Sequence, residues 1–307
     1  MRKSLATKWL AGLAGCAMLG TPASVLAQRE LPLKLHAIKP GKLYWVEGGG
    51  GNSGIVIGDK GVVVIDAKID AEAGRALVEE VAKLTPKPIT HLIETHSDGD
   101  HVNGVVAFPR DVKIIAHTNN RAEQLAMPLA ASVEIGGGKC LPPPDRIPNL
   151  VIYKDEVRAT INGEEFVFHH FGRAHTTGDL IVELPRHGVV FTGDILTYNV
   201  LIHPEKNGSF DGWFDNASAI LALPDTVFVP GHGREPDTKE MLRARIAGLR
   251  AKRGAIDALV DEGKTLEQAK AAMGDPPKDS IGCRGMPYPS LTWVEYHDRA
   301  GHLAELK

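Results

Sequence analysis

Apolar and polar positions alternate, or apolar positions run together, in short blocks along the first part of the chain. Residues 41–67 contain three such blocks: KLYWVEG alternates, GIVIGD follows a glycine-rich turn, and KGVVVIDA is an almost continuous apolar run. Alternation predicts a strand with one buried face, whereas an apolar run predicts a strand buried on both faces. Because Asp66 ends the apolar run, we expect this strand to carry a carboxylate at its C-terminal end.

The segment that follows has the spacing of a helix. Residues 70–85 place apolar side chains three and four positions apart, and Pro86 and Pro88 end the helix. ITHLIETH predicts the next strand, which leads directly into the sequence HSDGDH. The pattern then predicts a short helix at VVAFP, a strand at VKIIAHT and a helix over about residues 119–129.

Strands and then helices also fill the second half of the chain. Two hairpins are predicted, one around the Asn-Gly pair of VRATINGEEFVFHHFG and one around the Arg-His-Gly turn of DLIVELPRHGVVFTGD. TVFVPGHG predicts a last short strand. Because no linker separates the halves, we expect residues 28–307 to form one sheet-rich domain covered by helices, with a C-terminal helical extension. The later helices are predicted at about 213–223, 237–262 and 264–273, with a further helix after a proline-rich stretch.

The first 27 residues are expected to be a secretory signal peptide. Three basic residues precede a short apolar stretch, and Val25 and Ala27 occupy the small-residue positions of a cleavage site before Gln28. The main interpretation predicts a periplasmic or secreted protein without a transmembrane span after cleavage. The alternative is a lipoprotein, in which Cys16 of LAGC carries the lipid.

Cleavage would change the charge of the protein, because residues 1–27 contain three basic residues and no acidic ones. The remainder carries 32 Lys and Arg against 38 Asp and Glu, a net charge of −6. This balance gives no reason to expect nucleic acid or an anionic membrane as a partner, so a small-molecule substrate is the expected ligand. Cys140 and Cys283 also remain, and an oxidising compartment would permit a disulfide between them.

Potential metal ligands stand just after apolar strands at five places. Imidazole and carboxylate groups suit zinc, iron and manganese. A lone histidine is more often a surface or core residue, and an aspartate before a helix can be only a cap. Together, however, these residues indicate a site, because a sheet gathers its functional groups where its strands end. The positions are Asp66, then His96, Asp98, Asp100 and His101, then His175 in GRAHTTGD, Asp194 in FTGD and His232 in PGHG.

These motifs, in this order from about Leu43 to Gly233, resemble the metallo-β-lactamase superfamily. The resemblance implies an α/β fold, a four-layer αβ/βα sandwich of two mixed β-sheets flanked by helices, with the metals in a groove at one edge. It also implies two metal positions, typically holding Zn²⁺. His96, His175 and position 98 would hold the first ion, Asp100, His101 and His232 the second, Asp194 would bridge them, and Asp66 would orient the site.

Asp98 departs from the usual H-x-H-x-D-H of that family, since the chain reads H-x-D-x-D-H. Either Asp98 coordinates the first ion through oxygen, or the first position is weak or empty. If Asp98, Asp100 and Asp194 are ionised and a hydroxide bridges the ions, four negative charges face two divalent metals. Such a site would favour harder ions, such as Fe or Mn, alongside Zn²⁺.

Hydrolysis is the expected reaction. A bound metal lowers the pKa of water from ~15.7 towards ~7, and the chain has no G-x-S-x-G motif for a serine nucleophile. Metal-bound hydroxide would attack the carbonyl of a β-lactam, lactone, ester or thioester. The alternatives are a non-haem iron oxygenase of the same superfamily, a phosphoester or sulfate ester hydrolase, and a metal-binding protein without turnover.

Residues beside the metal motifs are expected to contact the substrate. Tyr198, His203 and Lys206 follow in a loop-like stretch, where they either bind a substrate carboxylate or oxyanion or are ordinary surface residues. Residues 136–148, rich in Gly and Pro, are a candidate lid. His117, His169, His170, His297 and His302 match no motif position and are interpreted as surface residues or as residues behind the site. The candidate catalytic residues are Asp66, Asp100, Tyr198 and His203.

Overall fold

The N-terminal half of the fold is built on a seven-stranded mixed sheet. The computed structural model describes residues 31–126, 143–224, 226–275, 280–281 and 287–301. The strands of this sheet are β1 (Lys34–Lys39), β2 (Leu43–Glu47), β3 (Ser53–Ile57), β4 (Val62–Ile65), β5 (Ile89–Ile93), β6 (Lys113–His117) and β7 (Leu150–Ile152). They lie side by side in chain order, antiparallel from β1 to β4 and parallel from β4 to β7.

A second mixed sheet follows, in the spatial order β12-β11-β10-β9-β8. Its strands are β8 (Glu156–Ile161), β9 (Glu164–His169), β10 (Ile181–Leu184), β11 (Val189–Phe191) and β12 (Val227–Val229). Asn162 and Gly163 join β8 to β9 with φ of 52° and 86°. Positive φ at both turn residues is what a tight hairpin requires, and Asn-Gly tolerates it, so the predicted hairpin is confirmed. A two-stranded ribbon, β13 (Ser280–Ile281) with β14 (Pro287–Tyr288), lies outside both sheets.

Seven α-helices are described, and six of them correspond to predicted helices. The short helix at Gly99–Val102 was not predicted, and the helix predicted at VVAFP is part of a 3₁₀ turn. The first α-helix begins at Asp70, whose side chain accepts hydrogen bonds from two backbone N–H groups of its first turn, and it ends before Pro86. The helices are α1 (Ala71–Leu84), α2 (Gly99–Val102), α3 (Thr118–Ala126), α4 (Phe210–Ala222), α5 (Lys239–Asp261), α6 (Leu266–Met273) and α7 (Leu291–Arg299). Short 3₁₀ turns occupy Asn103–Ala107, Gly193–Ile195 and Pro204–Lys206 among others.

Three apolar clusters define four layers. The central cluster joins the facing sides of the two sheets, for example Leu43 and Ile93 with Phe166 and Phe191. A second cluster packs α4, α5 and α7 on the outer face of the second sheet, and a third packs α1 on the outer face of the first sheet. The predicted αβ/βα sandwich is therefore confirmed.

Some predicted features lie outside the described residues. These are the signal peptide, residues 136–142 of the candidate lid, and Cys16, Cys140, Cys283 and His302. Across the ranges that the structure describes, no helix is long and apolar enough to cross a membrane.

The two sheets meet along one edge of the sandwich. Asn52 follows β2 in the first sheet, and its side-chain amide donates to the backbone carbonyls of Pro230 and Gly233 beyond the second sheet, at 3.0 and 3.1 Å. Its backbone N–H donates to the carbonyl of Gly231 at 2.6 Å. The strand ends that bear the predicted ligands therefore converge at this edge.

Candidate metal centre

One group of potential ligands at this edge consists of Asp100, His101 and His232. His232 Nε2 lies 3.0 Å from Asp100 Oδ2 and 3.4 Å from His101 Nε2, and His101 Nε2 lies 3.8 Å from Asp100 Oδ2. Asp100 and His101 come from the short helix α2, whereas His232 follows β12. We call this group the second set, because the family resemblance implied that these residues hold the second metal ion.

His96, Asp98 and His175 form a neighbouring group, the first set. Asp98 Oδ2 lies 3.1 Å from His175 Nε2 and 3.8 Å from His96 Nε2. All three side chains are buried, and their potential ligand atoms lie within 4.8 Å of one another. His96 and Asp98 follow β5, and His175 follows β9, so the two sheets contribute jointly.

Asp194, in the 3₁₀ turn after β11, lies between the two sets. Its Oδ1 is 3.2 Å from His101 Nε2. Its Oδ2 faces three further imidazoles, at 3.5 Å from Nε2 of His232, 3.8 Å from that of His175 and 4.0 Å from that of His96. One carboxylate therefore touches both sets, as the resemblance implied for a bridging group.

Hydrogen bonds at Nδ1 orient three of these imidazoles. His101 Nδ1 donates to Asp66 Oδ2 at 2.8 Å, and His175 Nδ1 donates to the Leu201 carbonyl at 2.9 Å. Thr95 Oγ1 donates to Asp66 Oδ2 at 2.8 Å and accepts from His96 Nδ1 at 2.9 Å. With Nδ1 protonated, a neutral imidazole has its lone pair on Nε2, the atom that faces the cluster.

Glycines allow the chain to pass close behind the ligands. A Cβ at Gly51 would collide with the ring of His101, and a Cβ at Gly231 would collide with Asp194 Oδ1. Asp66 itself has φ of 59°, a left-handed conformation that aspartate tolerates better than most residues. This backbone turn brings its carboxylate to Thr95 and His101.

The donor sets fit divalent ions. Four ligand atoms at 2.0–2.2 Å from one ion lie about 3.3–3.6 Å apart in a tetrahedron, and the separations given above scatter around these values. His96 Nε2 and Asp194 Oδ1 are buried without a hydrogen-bond partner among the described residues. Buried polar atoms are normally paired, so the two atoms indicate a partner of another kind, such as a metal ion.

The comparison with protein families agrees with this geometry. A model of the metallo-beta-lactamase superfamily matches residues 46–232, more than half of the chain. The chain belongs to the metallo-β-lactamase superfamily. It is therefore a metallo-hydrolase of that superfamily.

Individual relatives are distant and include two kinds of hydrolase. The chain is 22% identical over 209 residues to metallo-β-lactamase IND-1 of Chryseobacterium indologenes. This match covers 66% of this chain and 81% of the relative. It is 20% identical over 245 residues to the linear primary-alkylsulfatase of Pseudomonas sp. (strain ATCC 19151), covering 66% of this chain and 44% of the relative. A solved sec-alkylsulfatase, Pisa1 from Pseudomonas sp., superposes with a TM-score of 0.62 at 22% identity, over 89% of this chain and 50% of that one. The chain thus spans about half the length of these alkylsulfatases.

Asp98, the unusual residue in the metallo-β-lactamase motif, has two basic neighbours from the 3₁₀ turn at Pro204–Lys206. His203 Nε2 lies 2.9 Å from Asp98 Oδ2. Lys206 Nζ forms an ion pair with Asp98 Oδ1 and donates to Ser97 Oγ at 2.9 Å. Asp98 is therefore held at one oxygen by a lysine, while the other oxygen faces imidazoles.

These neighbours decide the charge of Asp98. Burial opposes its ionisation, but the charges of His203 and Lys206 and the hydrogen bond from His175 outweigh burial and hold the pKa of Asp98 well below its usual value. Burial likewise opposes protonation of His203, but Asp98 and Glu205 outweigh it and raise the pKa of His203 to about 10. Asp98 is therefore an ionised carboxylate.

The other predicted substrate-contacting residues differ in position. Tyr198 is 76% exposed, and its backbone N–H donates to the His232 carbonyl at 3.3 Å, which puts it at the rim of the second set. His203 and Lys206 are not the surface residues of the alternative interpretation, because both side chains are buried against Asp98.

The histidines that match no motif position are not all on the surface. His117 and His169 are buried rather than on the surface. His117 stacks on His170 with ring centroids 3.7 Å apart, and His169 pairs with Glu183 at 2.6 Å. They therefore have partners of their own inside the fold.

Four supporting residues were missed by the sequence analysis. Lys68 is fully buried behind the second set and donates to the carbonyls of Val46 and Gly51, both at 2.8 Å. Lys68 stands two positions after Asp66, so its proximity in sequence was the available signal. The others are Thr95 between Asp66 and His96, Glu205 on His203, and Tyr288, whose ring lies 4.9 Å from that of His203.

Proposed function

We propose that this chain is a secreted hydrolase with a dinuclear metal centre. The first ion would be held by His96, Asp98 and His175, and the second by Asp100, His101 and His232, with Asp194 between them. Asp66 would orient His101, and it would orient His96 through Thr95. Zn²⁺ is the ion we expect, with Fe or Mn as alternatives that the carboxylate-rich donor set would accept.

The position of Asp194 is the observation that supports two ions rather than one. Its two oxygens approach four imidazole Nε2 atoms that belong to two different sets. A carboxylate surrounded in this way has no single proton that could satisfy all four contacts. Two cations, one in each set, would satisfy all of them.

When bound, the ions would supply a nucleophilic hydroxide at neutral pH and polarise the group that it attacks. The chain would supply access and proton handling. Asp100 and His232 are the ligand side chains most open to solvent, 14% and 16% exposed, so the substrate would enter from their side. Asp100 can accept a proton there, and Tyr198 at the rim can donate a hydrogen bond to the substrate.

The substrate class we expect is a carbonyl compound: a β-lactam, lactone, ester or thioester. The similarity to β-lactamases supports this class. A sulfate ester is the second candidate, supported by the similarity to a linear primary-alkylsulfatase. The fold is shared between both kinds of relative, so the substrate has to be determined by experiment.

Metal analysis followed by a substrate panel tests the proposal. The secreted protein should begin at Gln28, contain two ions per chain, and hydrolyse at least one member of a panel of a β-lactam, a lactone, a thioester, an aryl ester and a primary alkyl sulfate. A chelator should abolish turnover, and added Zn²⁺ should restore it. His101→Ala should remove activity, whereas His297→Ala on α7, whose Nδ1 donates to a carbonyl of its own helix, should not.

Two results would contradict this function. Full metal content without turnover of any panel member would indicate a metal-binding protein. Oxygen consumption by a form with a single iron would indicate an oxygenase of the same superfamily.

A further inference from the structure

We infer that His203 is a nitrogen ligand of the first metal position and replaces the imidazole that is missing at position 98. The inference rests on the proposed metal centre and changes its donor set. The family motif places a histidine where this chain has Asp98. His203 brings an imidazole to the same place from a different loop.

The ring of His203 is buried beside the first set, against Asp98 and His175. Its side chain is only 2% exposed, and Nε2 lies 2.9 Å from Asp98 Oδ2. The ring meets that of His175 edge-on, with centroids 4.7 Å apart. The backbone fixes this arrangement, because the N–H of His203 donates to the carbonyl of His175 at 3.0 Å.

Nε2 of His203 has no hydrogen-bond partner among the described residues, although Asp98 Oδ2 is within reach. Without a metal ion, Asp98 stabilises a proton on this imidazole, and an ion in the first set would take the place of that proton, because a histidine ligand binds metal in its neutral form. Nε2 of His96, the first histidine of the motif, also lacks a hydrogen-bond partner among the described residues. When it carries no proton, a buried imidazole nitrogen without a hydrogen-bond partner has a lone pair available for a cation.

The other nitrogen of His203 is held as metal-bound histidines usually are. Nδ1 donates to Glu205 Oε1 at 2.6 Å. A carboxylate at this nitrogen fixes the ring and the tautomer and makes the opposite nitrogen a better ligand. Glu205 therefore acts on His203 as Asp66 acts on His101.

Asp98 can offer a cation only Oδ2, because Lys206 engages Oδ1. That ion pair lowers the electron density that Asp98 can offer to a cation. With His203 included, the first position has three imidazoles, from His96, His175 and His203, and carboxylate oxygens beside them. Three imidazoles are a common donor set for a catalytic zinc ion.

Nitrogen NMR of the Zn²⁺-loaded protein, labelled with ¹⁵N-histidine, tests the ligand directly. Nε2 of His203 should show the chemical shift of a metal-bound nitrogen, while Nδ1 carries the proton. Loss of this signal in His203→Ala assigns it. If His203 in the loaded protein instead has protons on both nitrogens, it is an imidazolium beside Asp98, and the inference is wrong.

Metal affinity gives the second test. His203→Ala should weaken binding of one ion by at least ~10–100-fold, the range known for loss of supporting groups, and leave the other ion bound. Retention of that second ion, together with an unchanged circular dichroism spectrum, shows that the variant folds. Asp98→His in the His203→Ala background should restore the affinity, because it returns an imidazole to the first position. His297→Ala is the matched control and should change nothing.

The two hypotheses fail in different ways. If the wild-type protein binds no ion, the metal centre as a whole is refuted, and the assignment of His203 with it. If the wild-type protein binds two ions and His203→Ala binds both as tightly, only the assignment of His203 is refuted. A double variant that binds no better than His203→Ala would contradict the replacement of one imidazole by the other.

Discussion

The first and second sets differ in depth and in the origin of their supporting residues. Asp100 and His232 of the second set reach solvent, and the second set contains the residues that the family motif leads one to expect. The first set is almost fully buried, and its unusual member, Asp98, is surrounded by residues of a remote loop. A substitution in a motif is thus compensated by residues distant in sequence, which the motif does not include.

Supporting groups also differ between the sets. Lys68 lies behind the second set. Asp66 contacts His101 of that set directly but reaches His96 of the first set only through Thr95. The first set also depends on His203, Glu205 and Lys206 in and beside one 3₁₀ turn. The second set is therefore anchored to a strand end, and the first set in part to a loop.

The largest effect is expected from Asp194→Asn, which should disrupt both sets at once. The amide removes the negative charge that faces four imidazoles and leaves only one acceptor oxygen. Loss of several kcal/mol of transition-state stabilisation corresponds to about 10³-fold in kcat/KM. Steady-state kinetics and metal content measure the effect.

Asp215→Asn on the exposed side of α4 is the matched control and should retain activity. If Asp194→Asn loses only one ion and keeps the other at wild-type affinity, Asp194 belongs to one set, and the bridging role is wrong.

The sequence predicted which residues converge at the site better than it predicted their surroundings, and the reason is physical. Asp66 follows β4 of the first sheet and Asp194 follows β11 of the second, so the apolar pattern predicted that each lies at the end of a strand, and the resemblance to the superfamily implied that the two strand ends meet. The contact of His203 with Asp98 depends on the path of a loop between β11 and α4, which has no periodicity. Burial of Lys68 was missed for a related reason, because a lysine normally predicts a surface.

A smaller effect, on metal affinity, should distinguish the two sets. Asp66→Asn keeps a residue that tolerates the left-handed backbone but removes an acceptor for His101 and Thr95. We expect the ion of the second set to bind about 10–100-fold more weakly, as is typical when a group that orients a ligand is lost, and the ion of the first set to be affected less, because Asp66 reaches His96 only through Thr95.

Thr95→Val is the complementary variant, with nearly the same side-chain shape. It removes the acceptor of His96 Nδ1 and should weaken mainly the ion of the first set. Chelator competition with the two-ion protein resolves the two affinities. Equal weakening of the same ion by both variants would show that the sets are not supported separately.

The last effect concerns stability rather than metal binding or turnover, and it follows from the buried groups behind each set. Glu94, at the end of the strand that leads to His96, is fully buried with Gln124 Nε2 2.6 Å away. Burial raises the pKa of Glu94 to about 8, although Gln124 opposes the shift. Behind the second set, burial lowers the pKa of Lys68 to about 7, against the attraction of Asp66. The two groups should therefore give opposite dependences of stability on pH.

The sign for Glu94 follows from proton counting. Between its ordinary pKa of 4.5 and about 8, the folded protein holds the Glu94 proton and the unfolded chain does not. Its contribution is thus complete below the unfolded pKa and is lost as pH rises towards 8, with a slope of at most ~1.4 kcal/mol per pH unit. For Lys68 the unfolded chain holds the extra proton between about 7 and 10.5, so stability rises with pH there.

Glu94→Gln should remove the loss of stability that Glu94 causes as pH rises towards 8, since glutamine does not titrate. Urea unfolding of the metal-free protein at pH 5 and pH 8 should give free energies of unfolding that differ less for this variant than for the wild type. Glu79→Gln, on the exposed side of α1, should keep the wild-type difference. An unchanged difference in Glu94→Gln would mean that Glu94 is ionised in the fold. The first set would then carry one more buried negative charge behind it, and the contrast with the lysine behind the second set would become a difference in charge as well as in pH dependence.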